Sequence, residues 1–393
     1  MPMSSAKTDK RGKRRASSPL FGLVIILALL ATAGFFAARD FLSMRAEEPI
    51  RPSAGLTSIR PLSSYFPALA GTPGDTDVYV FKGREEGGRV LILGGTHPNE
   101  PAGYVSAVVL IENLRVDRGT IFIIPRANRS GFTHSDPQEA SPQRYAIETP
   151  SGRRFFRLGS RVTNPVHQWP DPTIYVNPGG QALAGIEARN LNRAYPGRPR
   201  GNLTERVAFG VMELIRRERI GLGLDLHESA PEYPVINALV FNEAAADLAA
   251  TAQMSLQDQG LDFRLEASPP NLRGLSHREW GEAAGIKAVL IETPNASHGR
   301  LKGRPSASLV VDGRDKFYVR AAGLGRLYVP FGPEGIPLRD RVARHLAGVA
   351  ALLAGLADLE PENAVGISGL PDPDGIRAGG VGAFLRRPPG GRP

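Results

Sequence analysis

Residues 91–100 read LILGGTHPNE. An apolar run enters, Gly94 and Gly95 break it, and His97 and Glu100 come after it, three residues apart. A buried strand that ends in a Gly-Gly turn presents its next side chains at the carboxyl edge of a sheet. Open α/β sheets place their sites there. An imidazole nitrogen and a carboxylate oxygen together suit zinc. Two ligands are half of a site, so the question is what the rest of the chain adds.

Two later apolar runs end in the same way. Residues 221–226 lead into Asp225-Leu226-His227-Glu228, and residues 287–291 (KAVLI) lead into Glu292-Thr293-Pro294. Between them and the first run lies Asn190-Leu191-Asn192-Arg193-Ala194-Tyr195-Pro196-Gly197. Neighbouring parallel strands gather their carboxyl ends, so these groups can meet in one crevice. Two histidines and a glutamate (His97, Glu100, His227) make a three-ligand zinc set with one position left for water, the catalytic pattern. Glu292 is then a further carboxylate able to move a proton from that water to a leaving nitrogen. Asp225, two residues before His227, shares its side of a strand, while Glu228 points to the other side.

Outward from these runs, strand patterns at 77–82, 89–93 and 120–124 alternate with helical patterns at 102–114, 204–218, 243–257 and 338–356. This predicts an α/β fold: a mixed, mostly parallel central sheet with helices on both faces. Residues 129–188 lack periodicity and are rich in Pro, Gly, Ser and Arg, which reads as an insertion over the site. The hydrolase-like domain is expected over 76–358, with a tether over 39–75. A disordered Gly-, Pro- and Arg-rich tail is expected over 359–393. His134, His167, His277, His298 and His345 have no motif partners and read as surface or structural residues.

Residues 1–20 are basic, and residues 21–38 (FGLVIILALLATAGFFAA) carry no charge. This order predicts a cytoplasmic N-terminus, a transmembrane signal anchor and export of the downstream chain. The alternative is a cleaved signal, with Ala31-Thr32-Ala33 as the small-residue site and release to the periplasm. Arg14-Arg15 is a twin arginine, but Ser17, Ser18 and Pro19 stand where apolar residues are expected after it. The formal net charge of +9 comes from the ends: six basic residues from Lys7 to Arg15, and Arg386, Arg387 and Arg392. Without them the chain is near neutral, so no nucleic-acid surface is read. The absence of cysteine excludes thiolate metal sites, thiol nucleophiles and disulfides.

The order His97-x-x-Glu100, Asn192-Arg193, His227, Glu292 resembles the zinc carboxypeptidase superfamily. The wording of the motifs is closer to its succinylglutamate desuccinylase/aspartoacylase branch. Gly95-Thr96-His97-Pro98-Asn99-Glu100 resembles the G-x-H-G-N-E box, residues 190–197 the D-L-N-R-x-F-P-G box, Asp225-Leu226-His227 the D-L-H box, and Glu292-Thr293-Pro294 the distal glutamate. The resemblance covers about residues 75–300. It implies one zinc per chain on His97, Glu100 and His227, with Glu292 as general acid/base. Asn192 and Arg193 would grip a substrate carboxylate. Arg189 is the nearest candidate for a further arginine at the oxyanion, with Arg126 and Arg144 as rivals. The chain departs from the pattern at Pro98, where the family has Gly, and at Asn190, where it has an acid. No small C-terminal β-domain is visible.

The resemblance implies cleavage of a C–N amide bond next to a carboxylate, by a metallocarboxypeptidase or N-acyl amino acid amidohydrolase. An export signal favours a small peptide, of cell-wall type, over an N-acyl amino acid of cytosolic catabolism. The partners expected are that substrate and the inner membrane, with the domain on the periplasmic side. A zinc esterase or deacylase, and a metal-free binding protein on the same fold, are the alternatives.

Overall fold

The computed structural model describes residues 19–43, 46–135 and 143–387. The basic run from Lys7 to Arg15, its twin arginine and Arg392 lie outside the described residues. The chain divides into two units, before and after Glu47. The first contains helix α1 (Pro19–Ser43), none of whose residues is buried. At 25 residues it is long and apolar enough to cross a bilayer, and it exceeds the predicted 21–38 segment at both ends.

The second unit contains the sheet. In chain order its elements begin with β1 (Ser58–Pro61), β2 (Asp77–Lys82), β3 (Glu85–Leu93), α2 (Pro101–Asn113) and β4 (Arg115–Ile124). Two hairpins come next, β5 (Arg144–Thr149) with β6 (Gly152–Arg157), and β7 (Ile174–Val176) with β8 (Ala182–Ala184). After them are α3 (Leu203–Arg217), β9 (Leu222–Ser229), β10 (Ala238–Phe241), α4 (Ala246–Asp258), β11 (Arg264–Ala267), α5 (Ser276–Ala284) and β12 (Lys287–Pro294). The last are α6 (Ala307–Asp312), α7 (Lys316–Gly323), α8 (Leu338–Leu359), β13 (Gly366–Ser368) and α9 (Pro373–Gly379).

The sheet order is β1-β2-β4-β3-β9-β12-β10-β11, with β13 against β4. The centre, β4-β3-β9-β12, is parallel, and antiparallel pairings lie outside it. This is the mixed, mostly parallel sheet expected from continuous apolar runs, which suit strands covered on both faces. Leu222, Leu224 and Leu226 of β9 face a core shared with α2, α4 and α8. Leu91, Leu93 and Ala288 face the other core, with α3 and Trp280 of α5. Helix α2 sits so close to β9 that a Cβ on Gly103 would come within 2.2 Å of the Leu226 carbonyl oxygen.

Two expectations are corrected. The tether over 39–75 is packed from Glu47 onward: Glu48 and Ser53 are buried, β1 pairs with β2, and Leu62, Tyr65 and Leu69 join the second core. The tail over 359–393 is not disordered over its described part: Val365, Ile376, Val381 and Leu385 enter the first core, and Arg386 N–H donates to Glu112. In both stretches isolated apolar side chains dock on an existing core, and no periodicity is needed for that. Within 129–188, most described residues form hairpins and 3-10 turns. Arg154, in the second strand of the first hairpin, is buried and bidentate on Glu112.

Candidate metal centre and cleft

β3 ends at Leu93 and the chain turns at once. Gly95 takes φ +66°, the left-handed region that glycine enters freely. The turn throws His97 and Glu100 over the sheet edge, and Pro101 starts α2. Glu100 thus sits at the N-cap position of α2, where the helix dipole favours an anion. β9 brings His227 to the same edge, and β12 pairs Glu292 directly with His227.

The ligand atoms of His97, Glu100 and His227 all lie within 4.8 Å of one another, and each residue is at most 2% exposed. Glu100 is the bridge. Its Oε1 lies 2.7 Å from His97 Nδ1, and its Oε2 lies 3.0 Å from His227 Nδ1 and accepts from the Glu228 backbone N–H. Both histidines therefore turn Nδ1 inward. Behind them stand oxygen acceptors. His227 Nε2 is 3.0 Å from Asp225 Oδ2, and Asp225 is itself held by the hydroxyls of Thr96 (2.8 Å) and Ser276 (2.6 Å). His97 Nε2 is 2.9 Å from Asn190 Oδ1.

Asn190 fixes the tautomer of His97. Its Nδ2 donates to Glu187, and its Oδ1 accepts from the Asn192 N–H, so Oδ1 is the acceptor facing the ring. His97 then carries its proton on Nε2 and leaves a lone pair on Nδ1. Ligand histidines are oriented in this way by outer acceptors. Asn190 thus gives the ring an acceptor without adding a charge beside it.

Electrostatics fit a cation-seeking cluster. Burial pushes the His97 imidazole down to about 4, with the Arg161 charge adding to it. Burial alone would raise Glu100, but His97 and His227 hold it well below the usual carboxylate range. Burial opposes charge on His227, yet Asp225 and Glu100 outweigh it and raise its pKa well above the ordinary value. Glu292 is pushed up to about 8, first by burial, with His227 opposing and Glu100 reinforcing. A guanidinium already addresses the inward lone pairs: Arg161 Nη1 is 2.9 Å from Glu100 Oε1 and 3.2 Å from His97 Nδ1. Two neutralisable imidazoles, one carboxylate and a cation on the same lone pairs are a donor set that fits a divalent metal.

The cluster opens into a cleft of about 1120 Å³ that Glu292, Asn192 and Arg193 also line. Asn192 Oδ1 accepts from the Ser276 N–H, which leaves its amide NH₂ as a donor. Arg193 packs along its own loop, donating to the Asn192 carbonyl oxygen, with Glu187 at 3.9 Å. Burial and the nearby Arg161 lower its pKa.

Arg189 does not belong here. It is buried, bidentate on Asp171 at 2.8 and 2.9 Å, and donates to the Thr163 carbonyl oxygen. Adjacency to the Asn190 box sends its side chain away from the cleft. Arg126 is buried against Glu48 and Tyr104. The arginine at the cluster is Arg161, which the sequence shows only as one member of an Arg-rich run. Its segment is tied to the metal motif by Gly159 N–H on the Pro98 carbonyl oxygen. His277 and His298, read from sequence as surface or structural, also line the cleft.

No protein-family model and no curated protein sequence matches the chain. Among solved structures, the succinylglutamate desuccinylase/aspartoacylase from Rhodobacter sphaeroides is similar over 56% of this chain and 51% of its own, at 18% identity and TM-score 0.36. An aspartoacylase family protein from Mesorhizobium loti is similar over 56% of both chains, at 20% identity and TM-score 0.35. The tripeptide-bound cell shape determinant Csd4 from Helicobacter pylori is similar over 77% of this chain and 59% of its own, at 11% identity and TM-score 0.46. The chain spans little more than half the length of these structures. The family that the sequence motifs resemble is among them, and the likeness concerns the fold.

Proposed function

We propose that the protein is a zinc-dependent hydrolase that cleaves a C–N amide bond next to a carboxylate, as a metallocarboxypeptidase or N-acyl amino acid amidohydrolase. The observation that carries this reading is the buried His97–Glu100–His227 cluster facing an open cleft, with Glu292 one strand away. His97 Nδ1, His227 Nδ1 and the Glu100 carboxylate would hold the ion. When bound, zinc supplies a Lewis acid and lowers the pKa of a water.

The remaining roles belong to the chain. Arg193, with the Asn192 NH₂ beside it, holds the substrate carboxylate and so fixes the scissile carbonyl over the cluster. Glu292 takes a proton from the attacking water as its oxygen bonds to the carbonyl carbon. It returns that proton to the nitrogen as the C–N bond breaks, leaving a carboxylic acid and an amine, and the acid's proton then passes to the amine to give carboxylate and ammonium. Arg161, placed beside Glu100, faces the oxygen on which negative charge develops. The convergence of all three ligand positions weighs against the metal-free binding protein. Helix α1 supports an anchored enzyme whose catalytic domain lies outside the cytoplasm, where small peptides of cell-wall type are the substrates on offer.

The test is a metal determination by mass spectrometry together with hydrolysis of a panel of N-acyl amino acids, peptides and muropeptides. Stoichiometric zinc and zinc-restored turnover are expected. Glu292→Gln should keep the metal and lose turnover by about 10²-fold or more. Full activity in that variant refutes the acid/base role, and absence of any zinc-dependent hydrolysis refutes the reading.

A further inference from the structure

The cleft has an inner end beyond Glu292. Val240 and Leu290 pair in register on β10 and β12, and Ala238 pairs with Glu292 one step further out. Side chains two apart on a strand share a face, so Leu290 lies beneath Glu292 on the same side. Ala238, Val240 and Leu290 form a small apolar cluster separate from both cores, and Val240 and Leu290 line the cleft.

Helix α5 covers this face. Its Trp280 lies on Gly223, where an added Cβ would meet the indole ring at 2.6 Å. Its first residue, Ser276, reaches Asp225. The helix therefore runs from the site back down β9. His277, three residues before Trp280, sits on the same helix face one turn nearer the site. That is the level of Asp225 and Leu290, which pair in register. His277 is 3% exposed and lines the cleft beside Leu272 and Leu275, and neither of its ring nitrogens has a hydrogen-bond partner among the described residues. Buried polar groups without partners are rare and unfavourable, so this imidazole is built to meet a group that enters the cleft. Burial pushes it down to about 3, with His227 adding to it, so at neutral pH the ring presents one N–H and one lone pair.

We propose that this inner pocket receives the side chain of the substrate's amine-side residue, and that His277 hydrogen-bonds to an uncharged polar group at its tip, a carboxamide or hydroxyl. The inference rests on the amide-hydrolase reading. Val240, Leu272, Leu275 and Leu290 make the surrounding wall aliphatic, and Arg193 is assigned to the substrate carboxylate. A charged tip would lose its hydration against this aliphatic wall, a cost that a carboxamide or hydroxyl paired with the imidazole does not meet. A wholly apolar tip would leave both ring nitrogens unpaired, and sites with such unpaired groups discriminate strongly against the apolar analogue.

The experiment uses the full chain with matched N-acyl derivatives of glutamine, methionine and glutamate, whose side chains are of similar length. Glutamine should exceed both others in kcat/KM by about tenfold or more. His277→Phe should bring glutamine and methionine within about twofold, and His277→Gln, which restores a donor and an acceptor, should retain the preference. Calorimetry of free glutamine and free methionine binding to zinc-free protein is the second readout, with the same ranking expected and the same loss in H277F. If no derivative is hydrolysed, the amide-hydrolase reading fails, and calorimetry still decides the pocket. Equal or stronger binding of methionine, or a preference unmoved by H277F while H277Q is folded, overturns the proposal.

Discussion

Replacing Arg341 by Met should destabilise the domain through a residue that never touches the cleft. Arg341 of α8 is fully buried, and its Nη1 lies 2.6 Å from Glu228 Oε1, itself buried. The other Glu228 oxygen accepts from the Ala102 N–H at 2.7 Å, in the first turn of α2. One carboxylate thus ties α8, β9 and α2 together directly behind His227 and Glu100. Burial pushes Glu228 up to about 7 even though Arg341 opposes the shift. Without the guanidinium the charge is buried unpaired, which costs about 3–5 kcal/mol. Linkage sets the sign with pH. The folded pKa lies above the unfolded one of about 4.5, so Glu228 contributes stability below pH 4.5 that is lost as pH rises through 7. The cost of R341M should therefore be small near pH 5 and full near pH 8. Urea denaturation of zinc-free protein at both pH values measures it without a metal-binding contribution. R341M/E228Q, which removes the charge, should recover at least about 2 kcal/mol at pH 8. A loss under about 1 kcal/mol at pH 8, or a double variant no better than the single, would refute the strut.

The site and the core give further expected outcomes. Asp225→Asn removes the carboxylate behind His227 and should weaken zinc binding about 10–100-fold in a chelator competition, with the fold retained by circular dichroism. Arg161→Met should lower kcat/KM about 10²–10³-fold at nearly unchanged stability. Arg189→Met should do the reverse, costing about 3 kcal/mol in denaturant titration because Asp171 is left unpaired, with kcat/KM of the folded fraction kept. Burial holds His345 down to about 3, so the unfolded chain binds its proton first and stability should fall as pH drops from 6.5 towards 3. His345→Gln should flatten that slope by up to about 1.4 kcal/mol per pH unit, and an unchanged slope refutes the assignment.

The parts of the site that the sequence makes legible are those delivered by strands. His97, His227 and Glu292 each come after an apolar run, and parallel pairing turns that common position into proximity: Glu292 opposite His227, Leu93 opposite Asp225. Their meeting depends only on period and register, which the chain carries locally. Arg161 and Arg189 show what is not carried locally. Both lie in irregular chain, where side-chain direction is set by hydrogen bonds to distant residues. Thr163 N–H bonds to the Arg189 carbonyl oxygen at 2.8 Å, which draws the two arginine segments side by side. Asp171, 18 residues back, then captures one guanidinium and Glu100 the other. Nothing in the spacing of either arginine distinguishes them; the choice is made by which carboxylate the fold places within reach. His277 is the opposite case. Its helix is legible, and Trp280 three residues on is a strong core residue, so its face is in principle readable as inward. The sequence does not carry the depth of the cleft beneath Glu292, which comes from Ala238 and Val240 on the antiparallel strand β10. An inward histidine reads as core when the layer below it is filled and as a site residue when that layer is open, and here the fold leaves it open.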